Sequence, residues 1–326
     1  MIKGKQLNFV GPFAEIAEKF IQHKQSLGYK YESEKKILRL FCEFTASYPV
    51  EKCILSKELI ETWFSEMNDI SKKTKELRLS VIKLFAQYMQ KIGYSAYVVP
   101  KVKFKGNDNF IPYIFTYEEI TNILNTCDEM KNEWRSRHTQ LLMPVIIRLL
   151  YSSGLRISEA LNLKIKDVDL SNGVLTLHQT KTDRDRYVPL SMSTLNFMKT
   201  YFVEVHSSPD MNDLFFCKRD GSGFATSTIH KYFKIILWRS GISYGGKNIG
   251  PRLHDLRHTF SVHTLSKWVE EGKDIYCLLP VLASYLGHSN IKATGRYLRL
   301  TAEVFPNMIK SVEKHCATTI PEVKYL

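Results

Sequence analysis

The amino-acid sequence predicts a mainly helical protein of two domains with a small antiparallel β hairpin or sheet in the second. Three observations carry this reading. At 326 residues the chain exceeds the usual single-domain size. Apolar residues recur at three- and four-residue steps through most of it, and one alternating stretch, Val174 to Gln179, is followed after turn residues by a second, Arg186 to Leu190. A hydrophobic fraction of 44% suffices for ordinary cores.

Residues 11 to 93 read as helices. Phe13, Ile16 and Phe20 fall at helical spacing, as do Ile37, Leu40, Phe41 and Phe44, and later Leu79, Ile82, Phe85 and Met89. The last of these helices opens Ser71-Lys72-Lys73-Thr74-Lys75-Glu76-Leu77-Arg78, which places Lys72, Lys73, Lys75 and Arg78 where the positive end of the helix dipole disfavours them. Bound phosphate would offset that cost and make these residues DNA contacts; a solvated basic face is the other reading. From Gly93 to Pro112 apolar periodicity lapses, and the stretch carries Lys101, Lys103 and Lys105, basic enough to track a nucleic-acid backbone. The expected division is a helical domain at 1–105, a linker at 106–112 and a second domain at 113–326.

The second domain opens on Thr116-Tyr117-Glu118-Glu119, whose Thr and Glu three apart suit a capping box and a helix to about Cys127. Leu141 to Ser152 follows as an apolar helix that Gly154 can end. Next come the two strands with turn residues Thr182-Asp183 between them and Lys181 near the tip. Helical pattern dominates the remainder, including Leu256 to Trp268 and a terminal stripe at Val304, Met308, Val312 and Cys316.

The net charge is +13, with 19 basic against 12 acidic residues in 1–112 and 27 against 21 thereafter, so both parts favour polyanionic partners. The six cysteines are scattered without zinc-ligand pairs or a secretory leader, and the most apolar run, Leu141 to Tyr151, is too short to span a bilayer. A reducing cytoplasm is the expected compartment and no membrane role is implied.

Chemistry concentrates in a few motifs. Ser153-Gly154-Leu155-Arg156-Ile157-Ser158-Glu159 supplies one arginine; His254-Asp255-Leu256-Arg257 supplies another with a histidine; Leu286-Gly287-His288 is followed nine positions later by Tyr297. Two guanidinium groups, two imidazoles and a phenol are the side chains that phosphoryl transfer to tyrosine needs, because charge accumulates on non-bridging phosphate oxygens that forked cationic donors can grip. Arg156 at a helix start opposes the dipole unless an anion compensates. Arg257 could otherwise pair with Asp255. An ordinary phenol costs about 4 kcal/mol to deprotonate at neutral pH, so a neighbouring acceptor is required.

These motifs resemble those of the tyrosine recombinases, or phage integrases. Gly154-Leu155-Arg156-Ile157-Ser158-Glu159-Ala160-Leu161 is similar to the first arginine box, His254-Asp255-Leu256-Arg257-His258-Thr259 to the second, and Leu286-Gly287-His288-Ser289 with Tyr297 to the third. Thr180-Lys181-Thr182 before Asp185-Arg186-Tyr187-Val188-Pro189-Leu190 is similar to the family's lysine hairpin, and the order matches over roughly residues 113 to 305.

The resemblance implies a two-domain DNA clamp and a site-specific DNA recombinase, the integrase or transposase of a mobile element. Such an enzyme cleaves and rejoins strands through a covalent 3′-phosphotyrosine without metal, cofactor or ATP. It implies Tyr297 as nucleophile, Arg156 and Arg257 as the phosphate clamp, His254 as proton acceptor or its organiser, His288 as donor to phosphate, and Lys181 as general acid. It further implies double-stranded recombination sites as partners, a homotetramer joined through the C-terminal helix, and an accessory directionality protein as an open possibility. The segment Ser266 to Ala283 lengthens the Arg257 to His288 interval beyond the family's usual span. Three other readings stand beside this one: a type IB topoisomerase, a catalytically silent DNA-binding protein, and a metallohydrolase using His254 and His258 four apart, although Asp255 sits at the wrong offset for a zinc-peptidase motif.

Overall fold

The computed structural model describes residues 9–48, 53–67, 70–100, 111–130, 137–178, 185–246, 250–288 and 291–304. The chain divides into two compact units, Met1–Asn109 and Phe110–Leu326.

The first unit is helical, with α1 Ala14–Ser26, α2 Glu32–Ala46, α3 Lys57–Ser65 and α4 Lys72–Lys91. The apolar stripes read from the sequence meet in a core of aromatic side chains. Phe20 and Phe85 lie with ring centroids 5.6 Å apart, and Phe41 meets Trp63 edge to face at 5.1 Å. Ser71 caps α4 by accepting the Thr74 N–H. The crowded cations of its first turns are partly accommodated inside the unit: Lys75 lies over the Phe64 ring and Arg78 over Trp63. Lys72 and Lys73 are exposed. Lys101, Lys103 and Lys105 lie outside the described residues.

The second unit begins with α5, Tyr117–Glu129, behind the expected Thr116 capping box. Helix α6 runs Arg137–Ser153, four residues longer at its start than the apolar pattern indicates. Its first turn is polar and carries the Arg137–Glu204 ion pair, which hydrophobic periodicity does not register. After Gly154 come the short α7, Ile157–Leu161, a 3-10 turn at Ile165–Asp167, and a three-stranded antiparallel sheet rather than a bare hairpin. The additional strand, β1 at Val168–Asp169, is two residues long and too brief to show alternation; it pairs with β2, Val174–Leu177, which pairs with β3, Arg186–Pro189. The register sets Leu175 opposite Val188, so that Leu175, Leu177 and Val188 all face the core. The hairpin tip with Lys181 and Thr182-Asp183 is outside the described residues.

Helix α8, Met192–Val205, packs on α6, and α9, Thr226–Arg239, packs on α5 and α7. The segment Ser266 to Ala283 resolves into the end of α10, Asp255–Glu270, a turn through Gly272 (φ +69°), and most of α11, Ile275–Leu286, capped by Asp274. Helix α12, Ile291–Val304, packs on both, burying Tyr297 and Leu300 against Val262, Leu265, Leu282 and Leu286. Met308, Val312 and Cys316 lie outside the described residues. Among the described residues no helix is long and apolar enough to cross a membrane.

Gly154 ends α6 in the left-handed region at φ +60°, and a Cβ there would stand 2.5 Å from Phe260 Cδ1. Gly154→Ala is therefore expected to cost more than about 1 kcal/mol, from the backbone alone, before the clash is added. A urea unfolding midpoint equal to that of the unsubstituted protein would contradict this packing.

Candidate active site

The turn at Gly154 delivers Arg156 to the N-cap of α7 with extended backbone (φ −74°, ψ 144°). The sequence argument held that an arginine at a helix start opposes the dipole unless an anion compensates. Glu159, one turn on, is an anion within the chain itself, its Oε2 accepting the Arg156 backbone N–H at 3.0 Å and its Oε1 accepting from Nη1 at 2.6 Å. Glu159 also receives both terminal nitrogens of Arg186 from β3, at 3.2 and 2.8 Å, while Arg186 Nε donates to the Tyr285 carbonyl at 2.9 Å. Burial pushes the Glu159 carboxyl up, but these hydrogen bonds and the two arginine charges outweigh it and hold the group below the usual carboxylate range.

Helix α10 presents His254, Arg257 and His258 on one face, at relative positions i, i+3 and i+4. Arg257 is only 2% exposed. It does not pair with Asp255, which accepts instead from the Arg252 backbone N–H at 2.7 Å and thus helps fix the start of α10. Arg257 Nη1 donates to the Gly154 carbonyl and Nη2 to the Leu286 carbonyl, each at 2.6 Å. Two loops, one after α6 and one after α11, are thereby tied to one guanidinium. Burial and the nearby Arg156 lower its pKa to about 10, which still leaves it charged at neutral pH.

His288 follows Gly287, which closes α11 at φ +66°. Its Nε2 lies 3.1 Å from Arg257 Nη2 and its Nδ1 2.7 Å from Thr294 Oγ1. Because guanidinium can only donate, Nε2 accepts here, and the ring proton sits on Nδ1 toward Thr294. In this arrangement His288 is not yet set as the donor to phosphate that the resemblance implies. Tyr297 is 3% exposed, and its hydroxyl lies 3.1 Å from His258 Nδ1. His254 meets His258 edge to face, with centroids 4.9 Å apart. Among the described residues no group of three or more His, Cys, Asp or Glu side chains is placed to hold a metal ion.

All three imidazoles titrate far below the ordinary value of 6.5. His254, open on one side of a concave site, falls to about 4 through partial desolvation and the charges of Arg257 and Arg156. His288 falls to about 4 through desolvation and the charges of Arg257, Arg156 and Arg186. His258 falls to about 3 through desolvation, His254 and Arg257. The shared causes place Arg156, Arg257, His254, His258 and His288 in one positive field. A cleft of about 660 Å³ is lined by Arg156, Ser158, Lys164 and Lys166, by Thr176 on β2 and by His178 just after it.

Of the residues singled out from the sequence, the structure gathers Arg156, His254, Arg257, His288 and Tyr297 in one place. Lys181 lies outside the described residues. Lys72, Lys73, Lys75 and Arg78 belong to the other unit. The sequence reading missed Glu159 and Arg186 as the pair that fixes Arg156, and within the recombinase resemblance it assigned His258 no role. The spacing of Glu159 three after Arg156 was a usable signal for the first; Arg186 carried none, since its partner is 27 positions away.

Comparison with known proteins agrees with this geometry. The Phage integrase family matches residues 114–303. A protein of Sinorhizobium fredii named as an integrase/recombinase, y4rE, is 30% identical over 290 residues, 87% of this chain and 90% of its own. Tyrosine recombinase XerC of Chlamydia caviae is 28% identical over 83% of this chain and 86% of its own. A solved structure of the XerH site-specific recombinase bound to difH substrate, before cleavage, superposes with a TM-score of 0.62 at 22% identity, covering 87% of this chain and 81% of that one. The chain belongs to the Phage integrase family. It is accordingly a DNA strand-transferring enzyme of the tyrosine recombinase class.

The depressed imidazoles carry a consequence for stability. Between pH 6.5 and about 4 the unfolded chain holds protons that the folded site refuses, so the stability these groups contribute is complete above 6.5 and is lost as pH falls through 4 toward 3. The urea midpoint is expected to drop on acidification from pH 7 to 4, and less steeply in His258→Gln. Identical slopes for the two proteins would argue against a desolvated His258.

Proposed function

We propose that the protein is a site-specific recombinase, serving as integrase or transposase of a mobile element, and that it works through a covalent 3′-phosphotyrosine at Tyr297. The observation that carries this reading is the convergence of Arg156, Arg257, His254 and His288 around a buried Tyr297, a positive site whose natural occupant is one phosphodiester. Arg156 and Arg257 grip its non-bridging oxygens. Arg257 arrives pre-oriented by two carbonyls, and Arg156 by Glu159. His288 joins as a donor once the phosphate replaces Arg257 at its Nε2, with a second proton taken up. Lys181, which lies between β2 and β3 in the sequence, protonates the leaving 5′ oxygen. Energy is conserved in the phosphotyrosine bond, so neither ATP nor metal is required.

Recombination-site DNA as partner is supported by the kinship with Xer recombinases and by the likeness to a Tn1549 transposon integrase solved with transposon right-end DNA (TM-score 0.61, 16% identity). Lys72, Lys73, Lys75 and Arg78 on α4 would add backbone contacts from the first unit. During exchange the enzyme would assemble as a tetramer on two sites, with the segment beyond α12 as the exchanged element.

The test is a nicked suicide duplex carrying the DNA that flanks the protein's own gene, incubated with chelator. Wild type is expected to form a covalent adduct that maps to the Tyr297 peptide, and Tyr297→Phe to bind without one. Adduct formation by Tyr297→Phe would overturn the nucleophile. Arg257→Ala is expected to slow cleavage by at least about 10²- to 10³-fold. Its stability should fall as well, since two buried carbonyls lose their donor at about 1–3 kcal/mol each.

A further inference from the structure

The resemblance implies His254 as acceptor of the Tyr297 proton or as organiser of the acceptor, and the geometry sets a different imidazole, itself in contact with His254, beside the phenol. His254 contacts the His258 ring; His288 is engaged by Arg257 and Thr294; the imidazole within hydrogen-bond distance of the Tyr297 hydroxyl is His258, through Nδ1 at 3.1 Å. The Tyr297 side chain is buried, so bulk water has little access to take the proton in its place. His258 follows Arg257 directly on α10 and feels its charge, which holds it near the phosphate clamp as well as beside the nucleophile.

We propose that His258 is a catalytic residue, the acceptor of the Tyr297 proton during strand cleavage and its donor during rejoining. The inference rests on the phosphotyrosine reading above. In cleavage the bond from Tyr297 Oη to phosphorus forms and the bond from phosphorus to the 5′ oxygen breaks. The phenolic proton passes to His258 Nδ1, and the 5′ oxygen takes a proton from the general acid. In rejoining, the 5′ hydroxyl attacks phosphorus and gives its proton back to the conjugate base of the general acid, the tyrosine departs, and His258 returns the proton to it. Atoms and charge balance without oxidant, metal or external nucleophile.

Two properties of the site suit this role. In the free protein His258 is neutral, so its lone pair is available to accept a hydrogen bond from the phenol. The groups that discourage an imidazolium there are His254 and Arg257 on α10, Arg252 just before it, and Arg296 on α12 beside Tyr297 itself. A bound phosphodiester brings a negative charge among these cations and makes protonation of His258 easier when substrate is present. Proton acceptance is thereby tied to occupancy by DNA.

The test measures single-turnover cleavage of the nicked suicide duplex in two forms, one with the ordinary 5′ bridging oxygen and one with sulfur at that position, a leaving group that needs no proton. His258→Gln is expected to lose about 100-fold or more on both substrates, because proton removal from Tyr297 is still required. Lys181→Ala is expected to be slow on oxygen and restored on sulfur. In His258→Ala, added imidazole is expected to restore cleavage in proportion to its unprotonated form, a response that a purely structural defect would not give; this arm also decides the matter if the Gln variant folds poorly. His258→Gln cleaving within threefold of wild type, or recovering on sulfur, would overturn the assignment while a wild-type adduct at Tyr297 left the phosphotyrosine reading intact. Absence of any wild-type adduct would overturn that parent reading and this inference together.

Discussion

The site depends on one buried cation. Arg257 is almost entirely removed from solvent, and a guanidinium cannot be left there without acceptors. The acceptors are the Gly154 and Leu286 carbonyls, which terminate two different helices. By satisfying them, one side chain fixes the approach of the Arg156 turn and of the His288 loop to α10. Geometry that a phosphate must meet to within fractions of an ångström is thus set before DNA arrives. The same arrangement explains why glycine stands at 154: its positive φ and its contact with Phe260 leave no room for a side chain where the carbonyl must turn inward.

A second consequence is electrostatic. Gathering Arg156, Arg257 and Arg186 near three histidines in a partly desolvated space leaves the imidazoles neutral and the arginines charged. Glu159 is the internal anion of the cluster, shared between Arg156 and Arg186. Its pairing with Arg186 also ties β3 to α7, and the Arg186 bond to the Tyr285 carbonyl carries the connection on to the end of α11. The strand that bears one side of the lysine hairpin is therefore mechanically joined to both the first arginine and the loop of the third box. Gly287 fits this closeness, since a Cβ there would lie 2.7 Å from Arg186 Nη1.

Tyr297 belongs to the same logic from the other side. Helix α12 buries it in a stripe with Thr294, Leu300 and Thr301, and the apolar contacts with α10 and α11 place its ring while His258 meets its hydroxyl. Tyr297 is held partly by packing, so its position relative to the arginines is a property of the three-helix cluster as a whole. Family kinship fits this scaffold, and the likeness to the XerH complex extends over most of the chain.

Much of this was legible in the linear chain. Periodicity located the helices of both units, the Thr116 box and Ser71 marked two helix starts, and the alternation at Val174 and Arg186 gave the two longer strands. Four ordered motifs named Arg156, Arg257, His288 and Tyr297 because the residue types alone state the chemistry. What the sequence left undecided were pairings across long separations. The third strand is too short to alternate, the polar first turn of α6 carries no apolar signal, and Arg186 finds Glu159 only through the fold. The identity of the imidazole beside the tyrosine is the sharpest case. His254 and His258 are both plausible in one dimension, and only the crossing of α10 by α12 decides between them, since a hydrogen bond requires about 3 Å and a sequence position specifies none. Residue chemistry and local period are written in the chain; which polar atoms meet is decided when helices distant in sequence pack and buried donors must find acceptors.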